Sequence, residues 1–460
     1  MAVNTTTLVN AVQTRVDGIT ASCDNKDILL AAVAANRAVC AEGHKKVTVP
    51  TLNDLPNLDT SGVGVGPGHM VFVESINVPV VSTCNGWYGL DRRVARKDVP
   101  ERRLWLWGAG GYGRLGNGST SNQYSPVTTC GGGTNWRQVG LGGYSSAAIK
   151  TDGTLWSWGR NLCGQLGTGN TTHQYSPVTT AGGGTTWCQV AKGFDHSFAI
   201  KTDGTLWAWG YNDTGVLGTG NATAYYSPVT TAGGGTNWCR ISLFLHWGGT
   251  AIKTDGTLWM WGWNNYGQLG TGNTTWYNSP VTTAGGGTNW CYSSGGYYHA
   301  SAIKTNGTLW AWGTNGDGRL GTGNTTSYSS PVTTAGGGTN WCQVAGGCAH
   351  TLAIKTDGTL WAWGDNTYGQ LGTGNTSFYS SPVTTVGGGT NWYIINSGVF
   401  FSTAIKTDGT LWVWGANSYG QLGTGNTSFY SSPVTTVAGG TNWCNIDTGY
   451  NFTAAITSTL

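Results

Sequence analysis

Charged side chains are scarce in this sequence. Only 9% of its 460 residues are Asp, Glu, Lys or Arg, and the formal net charge is +3, whereas an average globular domain is about one quarter charged. So small a net charge on so long a chain creates no basic field of the kind that follows a phosphate backbone. We therefore expect no nucleic-acid partner and no binding to an acidic membrane surface.

Long apolar runs are missing as well. No stretch approaches the roughly 18 consecutive apolar residues that a membrane-spanning helix needs. The first residues, Met1 to Thr6, do not form the basic region followed by an apolar one that a secretion signal has. The sequence predicts neither insertion into a membrane nor export through a signal peptide.

Motifs for catalysis and metal binding are also lacking. There is no nucleophile elbow, no GxxxxGK[ST] phosphate loop and no repeated carboxylate pair. None of the 11 cysteines has CxxC spacing, and five of them share one repeated position after a Trp: Cys188, Cys239, Cys291, Cys342 and Cys444. We expect these to be small, partly buried thiols, and we expect no enzymatic activity, no cofactor and no metal.

Glycine and tryptophan, by contrast, are abundant and periodic. The chain has 77 Gly and 25 Trp, and the element Leu-Trp-x-Trp-Gly recurs seven times at intervals of 51 residues, once 52. A period of this length is typical of propellers and solenoids, and seven copies suit a closed ring. Tryptophans two residues apart project from one face of a strand. The predicted packing residues are Trp105, Trp107, Trp156, Trp158, Trp207, Trp209, Trp259, Trp261, Trp310, Trp312, Trp361, Trp363, Trp412 and Trp414.

Each repeat is predicted to contain four short strands, with Ser-Pro-Val-Thr as the first of them. Asp203-Gly204 lies between the apolar runs 199–201 and 206–210. An Asp-Gly pair in this setting is a strong hairpin signal, because glycine accepts the positive φ of a tight turn. The turn therefore joins the third and fourth strands.

The two ends of the repeat region are incomplete in complementary ways. The first Leu-Trp-Leu-Trp-Gly, residues 104–108, has no preceding hairpin, and the last repeat stops after residues 454–456 without a fourth strand. We infer that residues 104–108 complete the last blade in a three-plus-one clasp, in which 432–434 is that blade's first strand. Such closure removes the open edges of the ring.

Two segments of the repeat carry a family resemblance. Residues 364–374, Gly-Asp-Asn-Thr-Tyr-Gly-Gln-Leu-Gly-Thr-Gly, are followed by Pro382-Val383, and residues 347–358 read Gly-Cys-Ala-His-Thr-Leu-Ala-Ile-Lys-Thr-Asp-Gly. Residues 102–460 thus resemble the repeat of the regulator of chromosome condensation family. The resemblance implies an all-β, seven-bladed β-propeller. It does not select an activity, because such propellers serve nucleotide exchange, ubiquitin-ligase scaffolding and adhesion.

Residues 1–100 are predicted to form a separate small α+β adaptor in front of the propeller of residues 101–460. Apolar residues at helical spacing predict short helices before residue 40. The candidate oligomerisation residues are Leu8, Val12, Val16 and Ile19. Such a face can seed an oligomer or pack on its own domain, and the sequence does not separate the two.

A β-hairpin is predicted from residues 69–74 and 78–82, ending at residues 87–92. This segment resembles a small module at the start of virion structural proteins of marine bacteriophages. The resemblance implies attachment to a virion, as part of a tail fibre or of a capsid or tail appendage.

Binding is predicted where the seven repeats differ. The residue before the Tyr of the Thr-Gly-Asn loop varies from copy to copy: Gln123, Gln174, Tyr225, Trp276, Ser327, Phe378 and Phe429. The candidate binding rim comprises the aromatic residues Tyr225, Tyr226, Trp276, Tyr277, Phe378, Tyr379, Phe429 and Tyr430. Exposed aromatic rings on Gly- and Ser-rich loops suit adaptable binding and can stack on sugars. Packing between blades is an equal alternative for these side chains.

A second variable strip precedes the Ala-Ile-Lys strand. Its candidate residues are Tyr144, Asp195, Trp247, Tyr298 and Phe400. The next position holds His in three copies, at 196, 299 and 350, but Ser, Gly or Phe in the other four. The family resemblance implies that these histidines are structural, and we do not interpret them as a metal site.

Two functions follow from these patterns. The first is a virion structural protein, located in the virion and homo-oligomeric, which contacts other virion proteins through residues 1–100. Its propeller would face a glycan or protein of the host surface. The second is a non-viral interaction scaffold of the chromosome-condensation-regulator type, which captures a protein on one face.

Overall fold

The chain divides into two compact units, Met1–Pro100 and Glu101–Leu460. The computed structural model describes residues 48–49, 70–73, 78–83, 86–89, 101–131, 133–244, 247–335 and 337–458. The predicted N-terminal helices lie outside the described residues. The same holds for the oligomerisation candidates Leu8, Val12, Val16 and Ile19.

The described part of the first unit is one four-stranded sheet, with the strands in chain order. Its strands are Thr48–Val49 (β1), Met70–Val73 (β2), Val78–Thr83 (β3) and Gly86–Gly89 (β4). β1 runs parallel to β2, and the other neighbouring strands are antiparallel.

The second unit consists of seven four-stranded antiparallel sheets, the blades. Its first strands are Arg102–Gly108 (β5), Gln123–Thr128 (β6), Trp136–Leu141 (β7), Ser145–Lys150 (β8), Leu155–Gly159 (β9), Gln174–Thr179 (β10), Trp187–Lys192 (β11), His196–Lys201 (β12), Leu206–Gly210 (β13), Tyr225–Thr230 (β14), Trp238–Phe244 (β15), Gly248–Lys253 (β16), Leu258–Gly262 (β17) and Tyr277–Thr282 (β18). They continue as Trp290–Gly295 (β19), His299–Lys304 (β20), Leu309–Gly313 (β21), Tyr328–Thr333 (β22), Trp341–Gly346 (β23), His350–Lys355 (β24), Leu360–Gly364 (β25), Tyr379–Thr384 (β26), Trp392–Ser397 (β27), Phe401–Lys406 (β28), Leu411–Gly415 (β29), Tyr430–Thr435 (β30), Trp443–Thr448 (β31) and Phe452–Ser458 (β32).

The blades follow one another around a closed ring. Blades one to six are β7–β10, β11–β14, β15–β18, β19–β22, β23–β26 and β27–β30, and blade seven combines β31, β32, β5 and β6. The first strands of neighbouring blades contact each other, and β31 contacts β7. The prediction of an all-β, seven-bladed propeller is confirmed.

Closure of the ring differs from the predicted three-plus-one clasp. Blade seven takes two strands from each end of the repeat region, so the clasp is two-plus-two. The Ser-Pro-Val-Thr segment is the fourth and outermost strand of the blade before it, where it pairs with Leu-Trp-x-Trp-Gly, as in Trp207 with Thr230. Proline has no N–H to donate and therefore suits an edge strand. The sequence suggested the wrong starting point for the repeat.

The junction between β32 and β5 joins the two ends of the propeller. Seven residue pairs connect these strands, from Phe452 with Gly108 to Ser458 with Arg102, against five at the equivalent junction of β12 and β13. Leu104 and Leu106 are buried there in one cluster with Ala454 and Ile456. The closing junction of blade seven thus has more paired residues than the hairpin that stands at the same place in blade two.

The second Trp of each Leu-Trp-x-Trp-Gly element lies buried between two blades. Its indole Nε1–H donates a hydrogen bond to a backbone carbonyl of the preceding blade, and this bond occurs in all seven copies. The pairs are Trp107 with Gln421 (2.9 Å), Trp158 with Arg114 (2.9 Å), Trp209 with Gln165 (3.1 Å), Trp261 with Val216 (2.9 Å), Trp312 with Gln268 (2.8 Å), Trp363 with Arg319 (3.0 Å) and Trp414 with Gln370 (2.8 Å). We call this contact the tryptophan lock.

The first Trp of each element is half-buried on the outer part of its blade. Trp207, for example, packs edge to face on Trp187 with ring centroids 5.9 Å apart. Lys201 Nζ lies 4.0 Å from the centroid of Trp207 and 4.7 Å from that of Trp187. The lysine before each Asp-Gly or Asn-Gly turn makes the same contact in all six copies. These lysines therefore pack on rings, a role that the sequence analysis did not predict.

Within the part of the chain that the structure describes, no helix has the length and apolarity needed to cross a membrane.

The clasp yields a stability prediction. Leu106→Asp places an unpaired carboxylate in the fully buried centre of β5, which we expect to lower the free energy of unfolding by about 3 kcal/mol or more. Arg103→Asp, at an exposed position of the same strand, is the control and should change it by no more than about 0.5 kcal/mol. Urea denaturation of the two variants measures the difference. Equal stabilities would show that the β32–β5 junction does not hold the ring closed.

Candidate binding face

One end of the propeller carries both of the variable strips. It is formed by the turns between the first and second strands of each blade and by the long loops between the third and fourth strands. We call this end the loop face. The turns are residues 142–144, 193–195, 296–298, 347–349, 398–400 and 449–451, together with Trp247 in blade three, and the loops are 109–122, 160–173, 211–224, 263–276, 314–327, 365–378 and 416–429.

A buried asparagine fixes the backbone of each long loop except 109–122. In the loop of blade three, Asn264 Nδ2 donates to the carbonyl of Asn273 (3.0 Å), and Asn264 Oδ1 accepts from the amide of Leu269 (2.9 Å). Both ends of the amide are thus satisfied inside the loop. The loop is clamped from within, so its outward side chains can vary without changing its path.

The tryptophan lock clamps the same loop from outside. Trp312 of the next blade donates to the carbonyl of Gln268. Gly270 has a φ of +66°, and a Cβ built there would lie 2.6 Å from Trp312 Nε1. Only glycine allows this approach. The loop that carries the variable side chains is therefore held by the contact that joins the blades.

The strand register corrects the alignment of the candidate rim. Tyr225 pairs with Gly210 just as Tyr277 pairs with Gly262, so Tyr225 is the counterpart of Tyr277 and not of Trp276. The error arose because the sequence comparison was anchored on a tyrosine that shifts by one residue, whereas the proline of the outer strand does not shift. The variable position is in fact Asn122, His173, Ala224, Trp276, Ser327, Phe378 and Phe429.

The rim tyrosines that follow this variable position are part of the loop framework. The hydroxyl of Tyr277 accepts a hydrogen bond from Asn273 Nδ2 at 3.2 Å, and Tyr225 accepts from Asn221 at 3.1 Å. Tyr379 and Tyr430 make the same contact. These half-buried residues are therefore less available to a partner than their aromatic character suggested. Tyr226, on the outer strand, is exposed.

The structure brings members of both strips together around Trp263. The Trp263 ring centroid lies 5.5 Å from that of Trp247 and 5.5 Å from that of Tyr298. It lies 5.3 Å from Tyr266 and 6.4 Å from Trp276. Tyr266 and Trp276 remain 47% and 44% exposed. We call Trp247, Trp263, Tyr266, Trp276 and Tyr298 the tryptophan patch.

A second aromatic group joins the other strip residues. Tyr368 lies 5.1 Å from Phe400 and 5.5 Å from Phe429, measured between ring centroids. Phe429 is exposed, and so is Phe378, which makes none of the described ring contacts. The strip and the rim therefore meet on the loop face here as well.

The remaining strip residues lie in a charged sector. Arg160 forms an ion pair with Asp195 at 3.2 Å, and Gln165 donates to the same carboxylate at 2.7 Å. Burial raises the pKa of Asp195, and the nearby Arg160 and Lys192 oppose that rise. Tyr144 packs on this group, with Arg160 5.3 Å from its ring centroid. The Asp195 carboxylate is thus already paired with an arginine of the same chain.

The residues that organise the loop face were missed in the sequence. Trp263, Arg160 and Asp365 occupy one repeat position, directly after Leu-Trp-x-Trp-Gly, where other copies have Ala, Tyr or Thr. Tyr266 and Tyr368 precede the glycine of the Gly-Gln-Leu-Gly motif. The first position varies between copies as strongly as the predicted strips do, and the second holds Tyr in four copies and Cys, Thr or Asp in the others. That variation was the available signal.

The repeated histidines are buried at blade junctions. His299 Nε2 lies 3.0 Å from Thr351 Oγ1, and His350 Nε2 lies 3.1 Å from Ser402 Oγ, each across to the next blade. Burial lowers the pKa of His299 well below its usual value and that of His350 to about 4. Among the described residues, no group of three or more His, Cys, Asp or Glu is placed to hold a metal ion.

A sequence model of the regulator of chromosome condensation (RCC1) repeat matches seven segments: residues 103–149, 152–200, 203–242, 255–303, 306–354, 357–405 and 408–456. These segments cover more than half of the chain. The chain belongs to the RCC1 repeat family.

Its relatives within the RCC1 family are diverse. The chain is 34% identical over 292 residues to the ultraviolet-B receptor UVR8 of Arabidopsis thaliana, covering 62% of this chain and 66% of the receptor. It is 30% identical over 249 residues to the E3 ubiquitin-protein ligase HERC2 of Homo sapiens, covering 53% of this chain and 5% of the ligase. The mitochondrial RCC1 domain-containing protein RUG3 of Arabidopsis thaliana is 28% identical over 364 residues, covering 70% of this chain and 79% of that protein.

Two solved structures share the fold at lower identity. Human WBSCR16 superposes with a TM-score of 0.70 at 18% identity, over 78% of this chain and 99% of that one. Prp20p of Saccharomyces cerevisiae, described with its binding properties to Gsp1p and histones, gives 0.69 at 19% identity, over 79% and 93%. These likenesses concern the fold alone.

The expected location in a virion is wrong. The RCC1 relatives are cellular proteins, among them a plant receptor, a mitochondrial protein and yeast Prp20p. The expectation came from a short hairpin segment, residues 69–92, whose alternating apolar pattern is common to many small sheets. The comparisons favour the other hypothesis, an RCC1-type scaffold, and nothing in them supports a bacteriophage tail fibre.

The histidine pKa values lead to a pH prediction. Because the pKa of His350 is lowered from 6.5 to about 4, its contribution to stability is full above pH 6.5 and is lost as pH falls toward 4. His350→Phe, which copies Phe401 and Phe452 at the same repeat position, should remove that loss, which is about 3 kcal/mol. Urea denaturation at pH 7 and pH 4 measures it. A stability difference between variant and wild type that stays constant with pH would contradict the assignment.

Proposed function

We propose that this protein acts by binding, as an interaction scaffold whose loop face captures a protein partner at the tryptophan patch. The observation that carries the proposal is the convergence of five aromatic side chains, three of them from the two variable strips, on one partly exposed surface. Trp and Tyr are enriched among the residues that dominate binding energy in protein interfaces.

The chemistry of the loop face supports binding over catalysis. Two ion pairs of the loop face are formed within the chain: Asp195 with Arg160, and Asp317 with Arg319, whose guanidinium also donates to the carbonyl of Cys348. Burial raises the pKa of the Cys348 thiol to about 11, so it is not a reactive thiolate at neutral pH. None of these groups is therefore free to act as a catalytic acid, base or nucleophile.

The family supports the same proposal by analogy. Prp20p, an RCC1 propeller, is described as binding Gsp1p and histones, and yeast RCC1 has been solved bound to Kap60. HERC2 carries an RCC1-type segment within a much larger ligase. Partner binding is therefore a use of this fold in relatives, and we infer the same use here without inferring the same partners.

The test replaces patch residues with residues that the chain already has at the same repeat positions. Trp263→Ala follows Ala109 and Ala416, Tyr266→Thr follows Thr214, and Trp276→Ser follows Ser327. Each substitution therefore fits the loop framework. The triple variant should fold normally and bind its partner about 30-fold more weakly, since interface residues of this kind contribute 2 kcal/mol or more.

A matched control uses exposed aromatics away from the patch. Tyr124, Tyr175 and Tyr226 lie on outer strands and are between 44% and 48% exposed. Changing all three to Ser copies Ser329, Ser380 and Ser431 at the same register. Partners captured from cells are compared by quantitative mass spectrometry, and a glycan array probed with the same proteins tests the sugar-stacking alternative. Equal capture by the patch variant and the wild type would refute the proposed site.

A further inference from the structure

The loop face contains the same tyrosine pair twice, three blades apart. Tyr112 and Tyr144 pack edge to face, with centroids 5.6 Å apart and an interplanar angle of 69°. Tyr266 and Tyr298 occupy the same two repeat positions and pack at 4.8 Å and 61°. In each pair the first Tyr belongs to a long loop and the second to the turn of the next blade. The two pairs can therefore be compared residue by residue.

The first pair is covered by two arginines of the chain itself. The guanidinium carbon of Arg114 lies 4.5 Å from the ring centroid of Tyr144. That of Arg160 lies 5.3 Å from Tyr144 and 5.8 Å from Tyr112. Burial lowers the pKa of Arg114 only to about 10, so its guanidinium stays charged at neutral pH. Here the tyrosine pair is a binding site for guanidinium groups, occupied from within.

The second pair has lost both arginines and gained two tryptophans. The positions of Arg114 and Arg160 hold Gln268 and Thr314 in the copy that carries Tyr266 and Tyr298. Trp263 and Trp276 stand where the first copy has Ala109 and Asn122. Among the described residues, no Lys or Arg lies over the rings of Trp263, Tyr266, Trp276 or Tyr298, in contrast to the first pair.

Arg319 is the cation whose charge acts on Tyr298. It does not lie over the patch rings, because Asp317 forms an ion pair with it and the carbonyl of Cys348 accepts from its Nη1 at 3.2 Å. Its charge is largely neutralised by that carboxylate. Arg319 therefore does not take the role that Arg114 and Arg160 have at the first pair.

We propose that the tryptophan patch is the docking site for an arginine side chain on a basic segment of the partner protein. The inference rests on the proposed function and names the chemistry that the patch recognises. The aromatic faces present negative potential, and a planar guanidinium can stack on them while its edges keep their hydrogen bonds. A partner would thus supply in trans the group that the first tyrosine pair receives from its own chain.

The experiment uses two short peptides that differ in charge alone. N-acetyl-Gly-Arg-Gly-amide carries the guanidinium, and N-acetyl-Gly-citrulline-Gly-amide has nearly the same shape without the charge. Binding to the full chain is measured by saturation-transfer NMR at millimolar peptide. We expect the arginine peptide to bind and the citrulline peptide to bind about tenfold more weakly, the ratio expected for a partly desolvated cation–π contact.

Two variants exchange the character of the two tyrosine pairs. Gln268→Arg with Thr314→Arg restores the internal arginines at the second pair and should abolish binding of the arginine peptide. Arg114→Gln with Arg160→Thr removes them at the first pair and should add a second binding site. All four substitutions copy residues found at these repeat positions, and unchanged thermal unfolding checks that each variant folds.

The outcomes separate this inference from the proposed function. Equal binding of the two peptides, absence of binding by both, or binding that survives Gln268→Arg with Thr314→Arg overturns the arginine site. The proposed function is judged separately, by partner capture with the triple patch variant. Self-association of the wild type in sedimentation that Trp263→Ala abolishes would identify a second copy as the occupant, and it would also overturn the inference.

Discussion

The hydrogen bond from a buried tryptophan indole to a carbonyl of the preceding blade is the contact on which the rest of this structure depends. It occurs at each of the seven junctions, with distances from 2.8 to 3.1 Å. A buried N–H that lost this acceptor would cost about 1–3 kcal/mol. Each lock also buries a large ring, so it combines apolar burial with a directional bond and sets the position of one blade relative to the next.

The same lock connects the framework to the binding face. In each long loop the accepting carbonyl belongs to the residue that follows the glycine at the position of Gly267. In the loop of blade three this residue is Gln268. The loop is therefore fixed at a point two residues from Tyr266. Since the buried asparagine holds the loop from within, the path of the loop does not depend on which side chain occupies the position before that asparagine. This explains how one repeat position can hold Trp263, Arg160 or Asp365 on an unchanged backbone.

The sequence was most informative where structure is determined locally. Seven Leu-Trp-x-Trp-Gly elements predict seven blades because each element carries its own packing residues, and the Asp-Gly turns predict hairpins because the turn conformation requires glycine. The family model and the structure agree with that prediction.

The errors concern relations between distant parts of the chain. The sequence predicted that the first strand of the repeat region alone completes the last blade, whereas two strands do so. The second was missed because a loop of more than ten residues separates each third strand from the fourth strand that pairs with it. The rim alignment was one residue out of register for a similar reason, since only pairing with Gly210 and Gly262 identifies Tyr225 with Tyr277. Trp263 was overlooked because its partners, Trp276 and Tyr298, come together only in three dimensions.

Amide hydrogen–deuterium exchange in Trp312→Phe tests the lock most directly. Phenylalanine keeps a smaller aromatic ring in the junction and removes the donor to the carbonyl of Gln268. The account predicts roughly fivefold faster exchange in residues 263–276, as expected for the loss of about 1 kcal/mol, with residues 109–122 of blade seven unchanged. Unchanged protection of residues 263–276, or an equal rise in every loop, would show that the lock does not position the binding face.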